Sequence, residues 1–133
     1  MDKISPGLSA EITLTVDESN TASKYGSGLV PVFATPAMVG MMEGAAVKAL
    51  EGQLAEGQTT VGTHIDVRHL AATPVGMQVR ARAELTAVDG RKLTFQIEAW
   101  DEVEKIGEAT HERFVIDMGK FIARTQAKSK SQK

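Results

Sequence analysis

Between Pro36 and Val47 the only charged side chain is Glu43, set in a run of Met, Ala, Val and Gly. Thr35-Pro36 opens this run as a helix: threonine is a favourable N-cap, and proline is tolerated at the first helical position, where its missing N–H has no partner. The spacing predicts a helix from there to about Leu54, stopping near Gly57. Val39, Met42, Ala46 and Ala49, with the looser Gln53, make one stripe, and Met38, Met41 and Ala45 lie beside it. A helix apolar nearly all round for three turns has to be wrapped by other structure. Gly40 and Gly44 let something approach its backbone closely, although each weakens the helix by roughly 1 kcal/mol.

The wrapping is supplied by segments of period two. In Ser9–Val16, Ala10, Ile12, Leu14 and Val16 fall on one side, which marks a half-buried strand. Further strands are expected at Thr59–Leu70, Met77–Val88, Arg91–Trp100 and Ile106–Met118. The cleanest sets Met77, Val79, Ala81, Ala83 and Leu85 against Gln78, Arg80, Arg82 and Glu84; Leu93, Phe95 and Ile97 turn inward in the next. Asp89-Gly90 is a hairpin signal. The order is strand, helix, then four strands read as a meander. One long apolar helix with an antiparallel sheet gives an α+β domain in which five strands wrap the helix. Asp17–Gly28 is polar and glycine-containing and reads as a mobile lid or a surface connection, its length slightly favouring the connection.

The chain has 133 residues, 42% hydrophobic and 24% charged, enough for one core and too few for two. Formal charge is −2, but residues 120–133 hold five of the fifteen bases and no acid, leaving ten bases against seventeen acids. The domain is therefore expected at 1–118, with 119–133 a basic, disordered tail. With a basic cluster only in the tail and few aromatic residues, no nucleic-acid partner is expected. The absence of cysteine removes disulfides, a thiolate nucleophile and thiolate metal ligands. Met1–Pro6 lacks the basic and apolar regions of a secretory signal, and Val30–Leu50 is broken by Pro31, Pro36, Glu43 and Lys48. A cytoplasmic domain without a membrane span is expected.

Glu43 is the sharpest anomaly, since a carboxylate on so apolar a helix needs a partner or a solvated seam. Thr35 lies two turns earlier at the helix mouth and borders the same cleft if it is more than a cap. His69 shares its strand face with Thr63, Ile65 and Val67, whereas His64 sits with Asp66 and Arg68. A histidine on an apolar face is commonly a satisfied core residue, but His69 stands where its strand ends, a usual place for a site. His64 and His69 face opposite sides and lack a third ligand, so no metal site is expected. Phosphate-binding glycine loops and a Gly-x-Ser-x-Gly elbow are missing.

Val32-Phe33-Ala34-Thr35-Pro36-Ala37-Met38-Val39 with Glu43, Thr60-Val61-Gly62-Thr63-His64-Ile65, His69-Leu70-Ala71-Ala72-Thr73-Pro74 and His111-Glu112-Arg113-Phe114-Val115 resemble blocks of the fluoroacetyl-CoA thioesterase-like group of hotdog proteins. The resemblance runs from about Leu8 to Asp117, with the blocks in the same order and at compatible spacing. It implies a hotdog fold, a homodimer with a cleft at the subunit interface, and hydrolysis of a short-chain acyl-CoA. Residue by residue, it implies that Thr35, Glu43 and His69 are catalytic and that Gly62 and Arg113 contact the acyl thioester or order the site. In this reading Glu43 is base or nucleophile, Thr35 orients Glu43 or the substrate, and His69 polarises the carbonyl or assists the leaving group. Phe33, with Tyr25, Leu29 and Met42, is expected to size the acyl pocket. No cofactor is implied beyond the coenzyme A of the substrate. Across Ser23–Val30 the fluoroacetate-specific enzyme has an aromatic, lid-like region where this chain has Tyr25, Gly26, Ser27, Gly28 and Leu29. The resemblance thus carries the thioesterase class and leaves the acyl group open. A hydratase of the same fold would want an Asp–His pair on the helix side, which is absent. A non-catalytic acyl-CoA sensor or carrier is the alternative reading, and it leaves Thr35, Glu43 and His69 without a task.

Overall fold

A computed structural model describes residues 4–131 as β1 (Ser9–Thr15), a 3-10 turn (Glu18–Asn20), α1 (Ala22–Tyr25), α2 (Thr35–Ala49), β2 (Gln58–His69), β3 (Gln78–Asp89), β4 (Lys92–Trp100), β5 (Lys105–Asp117) and α3 (Met118–Ser131). The five strands form one antiparallel sheet in the order β1-β3-β4-β5-β2. The α+β arrangement of a long helix against five strands is the hotdog fold that the resemblance implied.

The apolar face of α2 dictates this packing. Met38, Met42, Ala45 and Ala46 are completely buried, as are Ala81, Ala83 and Leu85 of β3 and Leu93 and Phe95 of β4. Small residues on the sheet let the thick methionine face settle. A Cβ on Gly107 of β5 would lie 2.6 Å from Met38 Sδ and 3.1 Å from Met42 Cε. The close approach expected at Gly44 is made by Ile12 of β1, whose Cδ1 would be 2.9 Å from an added Cβ. Gly40 has open space around it, and Val47 is exposed, so α2 is covered on its core face and not all round.

Several expectations need correction. The four strands after the helix are not one meander: only β3, β4 and β5 are, while β2 pairs with β5 and β3 with β1. The segment joining β2 to β3 is no hairpin turn. Its Thr73 carbonyl accepts from Phe33 N–H, and its far end bonds Val16 through Gly76 N–H and the Met77 carbonyl, carrying the chain from the edge strand β2 across to β3, which lies next to the opposite edge strand. The helix ends at Ala49 rather than Leu54, because the turn that follows uses Gly52 at φ +76°, outside the helical region. Residues 17–28 contain the 3-10 turn, capped by Asp17, and α1, capped by Thr21 and closed by Gly26. The tail expected to be disordered from 119 is helical to Ser131. Beyond Gly119 it has no breaker and is rich in Ala, Arg, Gln and Lys, which favour helix. Residues 1–3 and 132–133 lie outside the described residues. Among the described residues no helix is long and apolar enough to cross a membrane.

Phe95 joins the core to the polar end of the sheet, with its ring centroid 6.2 Å from that of His111. Phe95→Ala should destabilise the domain by about 3–5 kcal/mol in urea unfolding, the range for removing a buried aromatic ring.

Candidate functional site

The inner face of β5 alternates through Gly107, Ala109, His111, Arg113 and Val115, so two polar side chains stand where apolar ones would complete the core. Arg113 is almost fully buried and is answered on every side. Its Nε donates to Thr60 Oγ1 at 2.9 Å and its Nη2 to the Thr60 carbonyl at 3.1 Å. Its Nη1 donates to Glu43 Oε2 at 3.3 Å and meets His111 Nε2 at 3.2 Å. Burial works against the charge on Arg113, and the neighbouring Glu43 carboxylate works for it.

Glu43 thus has the partner its apolar helix demanded, yet its side chain remains 40% exposed on the other side. Gly62 of β2 lies directly beneath it. A Cβ there would be 2.6 Å from Glu43 Oε2, 3.2 Å from Arg113 Nη1 and 3.2 Å from His111 Cε1. Only a glycine leaves room for these three groups at the strand. The β2–β5 register shifts between Gly62 and His64, placing the irregularity beside the carboxylate.

Thr35 and His69 form a second cluster. The Thr35 hydroxyl is hydrogen-bonded to His69 Nδ1 at 2.7 Å. Thr35 is not the N-cap of α2: Ala34 takes that position, its methyl group can make no cap bond, and the Thr35 hydroxyl is spent on the histidine. It does not orient Glu43 within the chain either. His69 Nε2 is buried without a hydrogen-bond partner among the described residues. Burial lowers the His69 pKa from its ordinary 6.5, with the Ala71 backbone acting in the opposite sense. A cleft of about 370 Å³ opens here, lined by Phe33, Thr35, His69 and Leu70 among others. Phe33 forms its buried wall; Met42 belongs to the core under Gly107 instead, and Tyr25 and Leu29 project into solvent.

The six residues expected at the site therefore fall into two groups, Glu43–Gly62–Arg113 and Phe33–Thr35–His69. Thr35 and Glu43 are eight residues apart on α2, or about 12 Å along its axis. Groups acting on one carbonyl must converge to within about 3–3.5 Å of the reacting atoms. His111 was missed as a site residue, although its signal was present: it shares the inner face of its strand with Ala109, Arg113 and Val115. Its Nδ1 lies 2.7 Å from the His64 carbonyl. Among the described residues no group of three or more His, Asp or Glu is placed to hold a metal ion.

Residues 16–119 match the fluoroacetyl-CoA-specific thioesterase family. A fluoroacetyl-CoA thioesterase from Streptantibioticus cattleyicolor is 48% identical over 98 residues, covering 74% of this chain and 70% of that protein. The solved structure of a threonine-to-serine variant of a fluoroacetyl-CoA thioesterase, in complex with acetyl-CoA, superposes with a TM-score of 0.89. It is 38% identical and the match covers 94% of this chain and 98% of that one. A hypothetical protein of Thermus thermophilus, a thioesterase superfamily member, gives a TM-score of 0.91 at 28% identity, covering 99% and 98%.

Burial lowers the pKa of both His69 and His111 from 6.5. Below the ordinary value the unfolded chain then binds more protons than the folded one, so stability falls as pH falls. The urea midpoint should be lower at about pH 5.5 than at about pH 7.5. The gap should narrow in His111→Gln, which removes one of the two groups.

Proposed function

This chain belongs to the fluoroacetyl-CoA-specific thioesterase family, and on that footing we propose that it hydrolyses a short-chain acyl-CoA to the free acid and coenzyme A. The observation that carries the reading is the Glu43 carboxylate, held by Arg113 and half open to solvent over the bare Cα of Gly62. A binding module has no use for a carboxylate so placed, which disfavours the sensor or carrier. Coenzyme A enters as part of the substrate, and no other cofactor is proposed.

The chemistry needs attack on the thioester carbonyl, stabilisation of its oxygen and a proton for the departing sulfur. Glu43 serves as base for an attacking water, or attacks directly to give an acyl anhydride that water then opens. With the Thr35 hydroxyl donating to Nδ1, the His69 ring carries its hydrogen on Nε2 and donates it to the substrate, satisfying an atom left without a partner in the chain. The backbone at Gly62, which carries no side chain of its own and lies against Glu43, receives the carbonyl oxygen. In either route the C–S bond breaks, the acyl carbon gains the oxygen of water, and the thiolate takes up a proton.

A homodimer brings the two clusters together. β2 is a sheet edge, with β5 on one side only. Antiparallel pairing of two β2 strands about a two-fold axis near Ile65 and Asp66 sets Gly62 of one protomer opposite His69 of its partner. Each cleft then combines Glu43, Gly62 and Arg113 of one chain with Phe33, Thr35 and His69 of the other.

Glu43→Gln should lower kcat for thiol release from short acyl-CoAs by about 100-fold or more, on the order of 3 kcal/mol in the barrier. Unchanged turnover would remove Glu43 from the mechanism. Mixing refolded Glu43→Gln with His69→Ala should restore activity to about a quarter of wild type, since half of random pairs are mixed and each holds one intact cleft. Without recovery, the shared cleft is wrong.

A further inference from the structure

We propose that His111 is the positioning residue that aims Arg113 at Glu43, by serving Arg113 as a neutral hydrogen-bond acceptor. This rests on the reading of Glu43 as the reacting carboxylate. His111 touches neither the open side of Glu43 nor the cleft at Thr35; it acts through the guanidinium.

Its protonation pattern is fixed from both sides. The His64 carbonyl, 2.7 Å from Nδ1, can only accept, so Nδ1 carries the hydrogen. Arg113 Nη1, 3.2 Å from Nε2, can only donate, so Nε2 presents its lone pair. The ring is 1% exposed, so both nitrogens are shielded from bulk solvent. Nη1 has two hydrogens; one is taken by His111 and the other is directed to Glu43 Oε2. The remaining arms of Arg113 are tied to Thr60, which holds the guanidinium in place but does not face Glu43. Thr60 therefore anchors one side of the rigid guanidinium, and the acceptor at His111 Nε2 holds the Nη1 side, so that the second Nη1 hydrogen stays on Glu43.

The groups around the ring agree with a neutral imidazole. Glu43 of α2 stands 3.9 Å from Nε2, behind the Arg113 hydrogen. From β2 come the backbone at Gly62 and the His64 carbonyl, from β4 the Phe95 ring, and from β5 Arg113 itself. Burial, the largest influence, together with Arg113 and the His64 imidazole, disfavours a charge on His111; the His64 carbonyl and the Glu43 carboxylate favour one, and the balance lowers the pKa from its ordinary value. A proton on Nε2 would confront an N–H with an N–H and release the aim of Nη1.

Two substitutions in the full chain separate the two ring nitrogens. His111→Asn keeps a donor near the His64 carbonyl and loses the acceptor for Arg113. His111→Gln reaches the Nε2 position with its amide oxygen and gives up the donor. Asn should lower kcat for thiol release by about 10- to 100-fold with KM changed about twofold at most, the scale of a misplaced reacting group, while Gln stays within about threefold of wild type. Urea midpoints show whether each variant is folded, and the Arg113 guanidinium ¹⁵N resonances report the aim directly. They should be sharp in wild type and Gln and broadened in Asn. Equal kcat losses in Asn and Gln, or wild-type kcat in a folded Asn variant, overturn the proposal. If Asn does not fold, a folded Gln variant with kcat down more than about tenfold overturns it alone. Absence of thiol release from the wild type, with the resonances still dependent on the acceptor, counts against the thioesterase reading and leaves the positioning role standing.

Discussion

A buried guanidinium has to be answered inside the fold, and the answer to Arg113 organises half of this molecule. It draws a carboxylate from α2, a threonine from β2 and a histidine from its own strand to one point on the sheet. Leaving any of these unpaired would cost far more than an exposed contact could return. The pair with Glu43 spans seventy residues of sequence. It ties α2, which packs chiefly on β1 and β3, to the far strands β2 and β5 as well. Gly62 completes the constraint by letting the charged groups rest on the strand itself.

Much of this was legible in order alone. The inward sets of β3 and β4 were readable because strict alternation over a half-buried sheet has one solution. Glu43 stood out because nothing else on its helix was charged. The neighbour of β2 was not readable, since alternation reports which face is buried and never which strand lies alongside. The cap at Thr35 followed a sound local rule that lost to a hydrogen bond with a residue thirty-four positions away. The early stop of α2 turned on one glycine with positive φ, and the terminal helix on propensity that a tally of charge concealed. His111 was within reach: the same alternation that gave Leu93, Phe95 and Ile97 places it inward in β5.

The two clusters differ in character. Glu43, Arg113 and His111 are knit into the sheet and share its rigidity. Thr35 and His69 meet at the ends of α2 and β2, where the chain turns away, and they are joined by a single hydrogen bond beside an open cleft. The charged groups sit on the paired strands, and the cleft beside Phe33 opens where the chain leaves them. The family resemblance runs through both, and it departs between Ser23 and Val30, next to the second.

That segment is a closed hoop. Ala22 N–H donates to the Val32 carbonyl, Ala34 N–H to the Asn20 carbonyl, and Phe33 N–H to the Thr73 carbonyl, so its two ends are stitched to each other and to the crossing strand. Residues 23–31 are exposed throughout. Lengthening a loop with joined ends costs little, because closure entropy grows only logarithmically with its size. The hoop is therefore a replaceable part: its exposed residues can change in number and kind at little cost to the fold, while the stitching keeps Phe33 and Thr35 in register.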